Sequence, residues 1–403
     1  MQRIDCSRWL PLFVATCSAA WAGGVHADAA DAFNFSISQS VMRDDNIFRL
    51  SDDVDVQALT GTRGDTVATT SAGISLDKLV GRQTLRASLN ASRARYARFS
   101  RLDHNGTNIK GNWSWVLGNR WYGEIAFTRS EALTNFGDFR SSVKNINTSE
   151  RLSYSANYRF HPDWSLGASA FRGRSDDSSL LREASQYETT GTEAVVQFAR
   201  SKNSGALRLR RTNGNYPNPE VTVVGLVDNS YRQDELEGSL GWQPTGASSF
   251  AARIARTQRS HKQVPLRDFS GVTGHLAWDW LISAKAQFNI TMRRETGAQD
   301  DILSSYVVTR GVSLGPTWRP TAKTSVQATL EQQVRNYQGD PATALSGIEQ
   351  REDRLRTASL SASYVPTERL QFSMTLRHEQ RESNFAGFPY RANIAFANAQ
   401  FSF

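Results

Sequence analysis

The side chains best suited to general acid–base chemistry are the five histidines that follow residue 27. They are scattered over separate segments, at His104, His161, His261, His275 and His378. No G-x-S-x-G, H-E-x-x-H, C-x-x-C or Walker sequence accompanies them. A hydrolase that uses His275 or His378 is the enzymatic alternative, but the missing motifs favour a chain that is not an enzyme and uses no cofactor.

An acidic stretch, RDDNIFRLSDDVDV at residues 43–56, offers oxygen atoms that could bind calcium. The possible ligands are Asp44, Asp45, Asn46, Asp52, Asp53 and Asp55. The glycine and the terminal glutamate of an EF-hand loop are missing from this stretch. We therefore interpret it as a solvated loop and predict no metal site.

Basic residues outnumber acidic ones, and most of them are arginines. The chain has 47 lysines and arginines against 39 acidic residues, and 40 of the basic residues are arginine. Arginine pairs with planar carboxylates and phosphates more readily than lysine does, although a genome that favours arginine would give the same count. The charges are spread along the chain, which argues against nucleic acid as a partner.

From about residue 32 onward, apolar and polar residues alternate, which predicts strands with one apolar and one polar face. Between residues 369 and 380, for example, Leu370, Phe372, Met374 and Leu376 alternate with polar residues. No segment shows a sustained period of 3.6 residues. We therefore expect no helical domain.

Turn signals divide these strands into hairpins. An aromatic residue followed by x-Pro-Thr occurs at Trp242, Trp318 and Tyr364, with a looser copy at Phe160. Proline is tolerated at tight turns because a turn needs no ladder N–H group. Longer polar connections lie between these turns, and this alternation of short and long connections is typical of outer-membrane barrels.

We predict an all-β fold, a transmembrane antiparallel up-and-down β-barrel of about 18 strands, with roughly 16 to 20 permitted by the turns. Short turns would face the periplasm and longer loops the exterior. A propeller and a stack of sandwiches are the rival folds. The strands are expected to begin near residues 32, 66, 83, 107, 120, 147, 164, 186, 205, 230, 249, 269, 283, 304, 323, 353, 369 and 390.

If the apolar face of each strand meets lipid, the polar face lines a lumen. The basic residues assigned to that face are Lys110, Arg151, Arg159, Arg208, Arg210, Arg253, Arg293 and Arg377. The other polar residues assigned to it are Asn112, Asn157, Gln197, Gln327, Gln333, Ser373, Glu124, Glu331 and Glu379. The basic residues are candidates for contact with a glycan or an anion, and a network of arginine–glutamate pairs that stiffens the wall is the alternative. A shift of one residue in register would reverse every assignment.

The first 27 residues are typical of a secretory signal peptide. A basic start precedes an apolar run from Trp9 to about residue 22, and Ala27 ends a small-residue cleavage pattern, with Ala22 as a second candidate cleavage site. The expected domains are therefore the signal peptide, residues 1–27, and a single barrel domain, residues 28–403. Both cysteines lie in the signal peptide, so we predict no disulfide after its removal. The predicted location is the outer membrane of a Gram-negative bacterium.

The alternation continues to the end of the sequence, at Phe401 and Phe403. A strand that closes a ring against the first strand stays paired along its length. A terminal aromatic residue also resembles the signal that barrel-assembly machinery recognises. A strand that simply stops at a phenylalanine is the alternative.

One short stretch resembles a known family. Asp44-Asp45-Asn46-Ile47-Phe48-Arg49 is similar to the D-D-N-[VIL]-[FY]-R sequence that follows the first strand in EpsL-type, exosortase-associated exopolysaccharide-biosynthesis barrels. Related porin-like barrels carry similar motifs. The resemblance implies an outer-membrane component of polysaccharide assembly or export, with other exopolysaccharide export proteins as partners. It supplies no catalytic or binding residue.

Three functions follow from these patterns. The leading hypothesis is a barrel that passes or docks an anionic or polyhydroxylated polysaccharide through its polar, arginine-rich lumen. The alternatives are a general or anion-selective porin for small solutes and a plugged structural or adhesive barrel. Each of them places the barrel in outer-membrane lipid and requires barrel-assembly machinery as a partner.

Overall fold

The computed structural model describes residues 32–56, 61–137, 141–222, 225–263, 265–298, 306–338 and 349–403. The predicted signal peptide at 1–27 lies outside these residues. Within the described ranges, the short 3₁₀ helices are Ser100–Leu102, Leu180–Ser185 and Pro265–Arg267. No helix in this part of the chain is long and apolar enough to cross a membrane.

Twenty strands are found in the described residues. In chain order they are β1 Phe33–Asp44, β2 Asp65–Val80, β3 Gln83–Tyr96, β4 His104–Leu117, β5 Trp121–Leu133, β6 Ile146–His161, β7 Trp164–Asp177, β8 Tyr187–Arg200, β9 Asn203–Asn215, β10 Glu220–Thr222, β11 Gly225–Val227, β12 Tyr231–Trp242, β13 Ser248–His261, β14 Phe269–Leu281, β15 Ala286–Ala298, β16 Tyr306–Trp318, β17 Thr324–Gln338, β18 Glu352–Thr367, β19 Leu370–Ser383 and β20 Tyr390–Ser402.

Eighteen of these strands form one closed antiparallel barrel. Each barrel strand pairs with the barrel strands before and after it in sequence, and β20 pairs with β1 to complete the ring. The small hairpin of β10 and β11 stands apart, in the connection between β9 and β12. The predicted 18-stranded barrel is confirmed, and each barrel strand begins within three residues of its predicted start.

The two faces of the barrel differ as the alternation predicted. Large apolar side chains such as Leu207, Ile254 and Leu360 are exposed on the outer surface. The positions between them carry serine, threonine, amide and charged side chains that point inward. A continuous apolar outer surface is favourable in lipid and unfavourable in water. The barrel therefore has the surface of a membrane-spanning protein.

The two ends of the barrel also differ. One end has only short turns, at residues 81–82, 118–120, 162–163, 201–202, 243–247, 282–285, 319–323 and 368–369. Trp242 and Trp318 each end a strand immediately before such a turn, as the x-Pro-Thr pattern predicted. Gly118 begins another turn at φ +60°, a conformation that glycine adopts without strain. The longer connections lie at the opposite end, which we call the mouth.

The ring is closed by the pairing of β1 with β20, from Ser36 opposite Ser402 to Asp44 opposite Ile394. Beyond that ladder, the backbone amide of Phe35 donates to the Phe403 carbonyl at 2.8 Å, and the Phe403 amide donates back at 2.9 Å. The two phenyl rings stack with centroids 5.8 Å apart. Pairing of the last strand is thus confirmed, and recognition of Phe401 and Phe403 by assembly machinery stays a prediction.

We expect the Phe35–Phe403 contact to contribute measurably to barrel stability. Phe35→Ala and Phe403→Ala should each lower the free energy of unfolding by ~1 kcal/mol, with a coupling of ~0.5–1.5 kcal/mol between them. Urea unfolding of the refolded protein in lipid vesicles measures both quantities. Phe288→Ala, on distant β15, is the control and should show no coupling with Phe35→Ala. Simple additivity of the Phe35 and Phe403 substitutions would contradict the contact.

Candidate functional site

All eight basic residues predicted for the lumen lie on the inward face of the barrel. Lys110 pairs with Thr128, and Thr128 pairs with Arg151, so the three side chains share one face. The same register, followed from strand to strand, puts the other six on that face: Arg159, Arg208, Arg210, Arg253, Arg293 and Arg377. The predicted polar and acidic residues share it: Asn112, Asn157, Gln197, Gln327, Gln333, Ser373, Glu124, Glu331 and Glu379. Their contact with a ligand stays a prediction.

Five of these basic residues pair with carboxylates on the same inner surface. Arg208 contacts Glu193 at 2.7 Å and also Glu237, and Arg210 contacts Glu193 at 2.8 Å. The other three pairs are Arg253 with Glu237 at 3.4 Å, Arg293 with Glu331 at 2.6 Å and Arg377 with Glu379 at 2.6 Å. These five residues therefore form the arginine–glutamate network that the sequence analysis gave as the alternative. The carboxylates of this network offset their positive charge.

The remaining three basic residues, Lys110, Arg151 and Arg159, differ from the other five. They lie on β4 and β6, on one side of the barrel wall. None of them forms an ion pair with a carboxylate in the described part of the chain. Lys110 and Arg159 are exposed and Arg151 is half-buried. This side of the lumen therefore carries a net positive charge that no described ion pair neutralises, even though Glu124 lies inward on β5 between these strands.

Two of the lumen arginines each lie on an aromatic ring that covers a glycine. The guanidinium of Arg151 lies 4.0 Å from the centre of the Phe171 ring, and that ring lies against Gly191, where a Cβ atom would be only 2.3 Å away. On another part of the wall, Arg259 stacks at 4.2 Å on Tyr231, whose ring covers Gly214 in the same way. A glycine facing an aromatic residue lets the ring lie flat as a platform for a cation. Neither stack can be predicted from the sequence alone, because each depends on which strands are neighbours in the barrel.

The motif Asp44 to Arg49 forms a compact turn at the mouth. The Asp44 carboxylate accepts hydrogen bonds from the Asn46 amide at 2.9 Å and from Arg49 at 2.8 Å. Arg49 has φ +55° and also donates from Nε to Glu379 on β19 at 3.1 Å. Burial opposes the charge of Arg49, but the Asp44 and Glu379 carboxylates outweigh burial and raise its pKa above the ordinary value. The turn is thus fastened to the barrel wall by a buried cation.

Apolar residues of three loops pack together beside this turn. Ile47 and Phe48 join Phe99 and Leu102 of the β3–β4 connection and Phe136 of the β5–β6 connection. The ring of Phe48 meets those of Phe99 and Phe136 edge-on, at 4.8 and 4.9 Å. Since the cluster also includes inward residues of β2 and β3, these loops fold into the barrel and narrow its mouth.

A second buried group of charges connects the β5–β6 connection to β18 and β19. Asp353 accepts hydrogen bonds from Arg351 at 2.7 Å and from Arg381 at 2.9 Å. Arg381 also donates to the Tyr337 hydroxyl at 2.8 Å and to the carbonyl of Gly137 at 2.5 Å. Gly137 belongs to the β5–β6 connection, so this contact links strands that are not neighbours in the ring.

Side chains of the acidic stretch already have partners within the protein. The Asp45 carboxylate accepts hydrogen bonds from the backbone amide and the side chain of Asn393, each at 2.7 Å. No group of three or more His, Cys, Asp or Glu residues suited to a metal ion occurs among the described residues. The stretch is a folded part of the mouth, and its interpretation as a solvated loop is wrong for the buried Asp44 and Asn46.

The two histidines considered for catalysis lie on opposite faces of the barrel. His275 points into the lumen, in the same row as Arg253 and Arg293. His378 points outward and bonds to Asn393 at 2.7 Å. The barrel wall separates them, and they cannot act on one substrate.

The buried position of Arg49 predicts a large loss of stability when its charge is removed. Arg49→Ala should lower the free energy of unfolding by ~3 kcal/mol, because it leaves the buried Asp44 carboxylate without its cation. Arg86→Ala is the control, since Arg86 pairs with Asp77 at 3.0 Å while both side chains are at least 50% exposed. The control should lose less than ~1 kcal/mol. Equal losses in urea unfolding would contradict this role of Arg49.

Comparisons with known sequences find no relative. No family model and no curated protein matches the chain. The proposed resemblance to EpsL-type barrels is therefore without support from any comparison.

Solved structures of outer-membrane proteins share the fold. The outer membrane protein OpdK from Pseudomonas aeruginosa is 11% identical, with 93% of this chain and 99% of OpdK aligned at a TM-score of 0.52. OccK2 (OpdF) from the same organism is 10% identical, with 92% and 98% aligned at 0.50. OccAB4 from Acinetobacter baumannii is 8% identical, with 93% and 99% aligned at 0.51. At these identities the likeness shows a common porin-like barrel fold, and it supports an outer-membrane location.

Proposed function

We propose that this chain is an outer-membrane channel selective for small anionic solutes. The observation that carries the proposal is the set of uncompensated basic side chains, Lys110, Arg151 and Arg159, on the inward face of β4 and β6. A lumen lined by fixed cations lowers the energy of an entering anion, as basic rings do in anion pores. The likeness to porin-type barrels agrees with this function and with a chain that is not an enzyme.

The spacing of these cations suits passage better than tight capture. Lys110 and Arg151 occupy one row of the sheet with one strand between them, so their backbones are ~9–10 Å apart. Arg159 is eight residues farther along β6, ~26 Å from Arg151 along the strand. An anion could meet these groups in succession, each offering a weak site, and conduction requires sites from which a solute can also leave.

The ligands of the structural neighbours support the class of solute. OpdK has been crystallised with vanillate and OccK2 with glucuronate, and each of these molecules carries one carboxylate. Arginine matches carboxylate geometry with two parallel hydrogen bonds. Arg151 is the side chain best prepared for such a contact, because its stacking on Phe171 holds the guanidinium in place.

Polysaccharide export remains a prediction that no comparison supports, and the same channel can test it. Planar-bilayer recordings would compare blockade by glucuronate with blockade by a long acidic polysaccharide. Blockade by glucuronate at millimolar concentration supports the solute channel. One-sided blockade by the polysaccharide alone would favour export instead. No current steps from a well-folded barrel would favour a plugged structural barrel and overturn both.

Neutralising the three uncompensated cations should weaken anion selectivity. We expect Lys110→Gln/Arg151→Gln/Arg159→Gln to lower the anion-to-cation permeability ratio by about threefold or more, because the local positive potential is lost. The reversal potential across a salt gradient measures this ratio. The matched control removes three outward charges, Arg129→Gln/Arg172→Gln/Arg211→Gln, and should leave the ratio unchanged. An equal fall in both variants would contradict the assignment.

A further inference from the structure

The outward face of β15 and β16 changes from apolar to basic towards the mouth. On β16 the outward residues run from Trp318 through Leu314 and Val312 to Arg310. On β15 they run from Phe288 through Ile290 and Met292 to Arg294. Both arginines therefore follow directly after the apolar side chains that meet lipid.

The length of this apolar run places the arginines at a membrane interface. Eight residues separate Trp318 from Arg310, and at ~3.3 Å per residue and a tilt of ~40° they span ~20 Å of membrane normal. The apolar band of such barrels is ~25 Å tall. With the reach of an arginine side chain added, the two guanidinium groups lie at the level of lipid head groups on the mouth side.

Several outward arginines near the mouth are neutralised by carboxylates on the same or a neighbouring strand. Arg129 pairs with Glu150 at 2.7 Å, Arg172 with Glu188 at 3.2 Å and Arg211 with Asp234 at 2.6 Å. These pairs show that the outer surface can supply a carboxylate partner across the strands. An outward arginine at the same height on the barrel that lacks a carboxylate partner keeps its positive charge unneutralised by the protein.

Arg294 and Arg310 are such arginines. They are directly opposite each other on β15 and β16, an arrangement in which like charges repel. Neither forms an ion pair with a carboxylate that the structure describes, and the buried Nε of Arg294 has no hydrogen-bond partner there. Gly274 continues the same row without a side chain, and Arg256 lies exposed one outward position nearer the mouth on β13.

We propose that Arg256, Arg294 and Arg310 bind the phosphate of a membrane lipid in the leaflet on the mouth side. A phosphate relieves the repulsion between the facing guanidinium groups and accepts bidentate hydrogen bonds from them. The exposed apolar residues Ile254, Met292 and Val312, on the side of the short turns, offer a surface for the acyl chains. Charge complementarity and position at the head-group level select this occupant. The site faces lipid, so it is independent of the lumen and of its proposed function.

Native mass spectrometry of the refolded full chain tests this proposal. The protein in detergent is titrated with bisphosphorylated lipid A and with the same lipid after removal of both phosphates. We expect the phosphorylated lipid to bind at least tenfold more tightly to the parent protein. Arg294→Gln/Arg310→Gln should lose that preference by at least tenfold, whereas Arg172→Gln/Arg211→Gln, which removes two paired outward arginines, should keep it.

The outcomes separate a built site from general charge attraction. Equal losses in the two double variants, or unchanged binding by Arg294→Gln/Arg310→Gln, would overturn the proposal. Retention of the folded barrel is checked by heat-modifiable migration on a gel. If the double variant does not fold, Arg256→Gln alone should still weaken binding severalfold, and its failure to do so would overturn the proposal equally.

Discussion

Closure of the ring is the constraint on which the other features depend. Hydrocarbon offers no hydrogen-bond partners, so every peptide group of a lipid-facing strand has to be paired within the protein. The pairing of β20 with β1 meets this requirement, since it leaves no open edge in the 18-stranded sheet. Once the ring is closed, each strand has a lipid face and a lumen face. The alternation of residue types then places apolar side chains on the lipid face and polar side chains on the lumen face.

Closure also determines how charge is distributed inside the barrel. Arg208 and Arg210 belong to β9, and their glutamate partners lie on the neighbouring strands β8 and β12. Lys110 and Arg151 face threonine and glycine in their rows instead, so their charge is available to a solute. The inner surface is therefore not uniformly basic. It combines a wall of internal ion pairs with a wall of uncompensated cations.

The mouth shows how a loop is held inside a wide barrel. Arg49 and Arg381 are buried cations that reach carboxylates on β18 and β19, while Phe48 and Phe136 exclude water beside them. A short motif that resembles a family signature in the sequence thus has a structural role in this fold. Its residues fasten the β1–β2 connection to the barrel, and they narrow the entrance on one side.

The strands, their two faces and the two kinds of connection can all be predicted from the amino-acid sequence. These features are local, because alternation and turn residues act over a few neighbouring positions. The alternation also predicts the correct, inward face for Arg208 and for Lys110. It does not show that Arg208 forms ion pairs with glutamates and that Lys110 forms none among the described residues. That difference depends on the folded barrel, which also brings Arg49 to Glu379, 330 residues away, and Arg381 to Gly137, 244 residues away. Such contacts depend on strand register and on the path of loops into the lumen, both of which are set by closure of the whole ring.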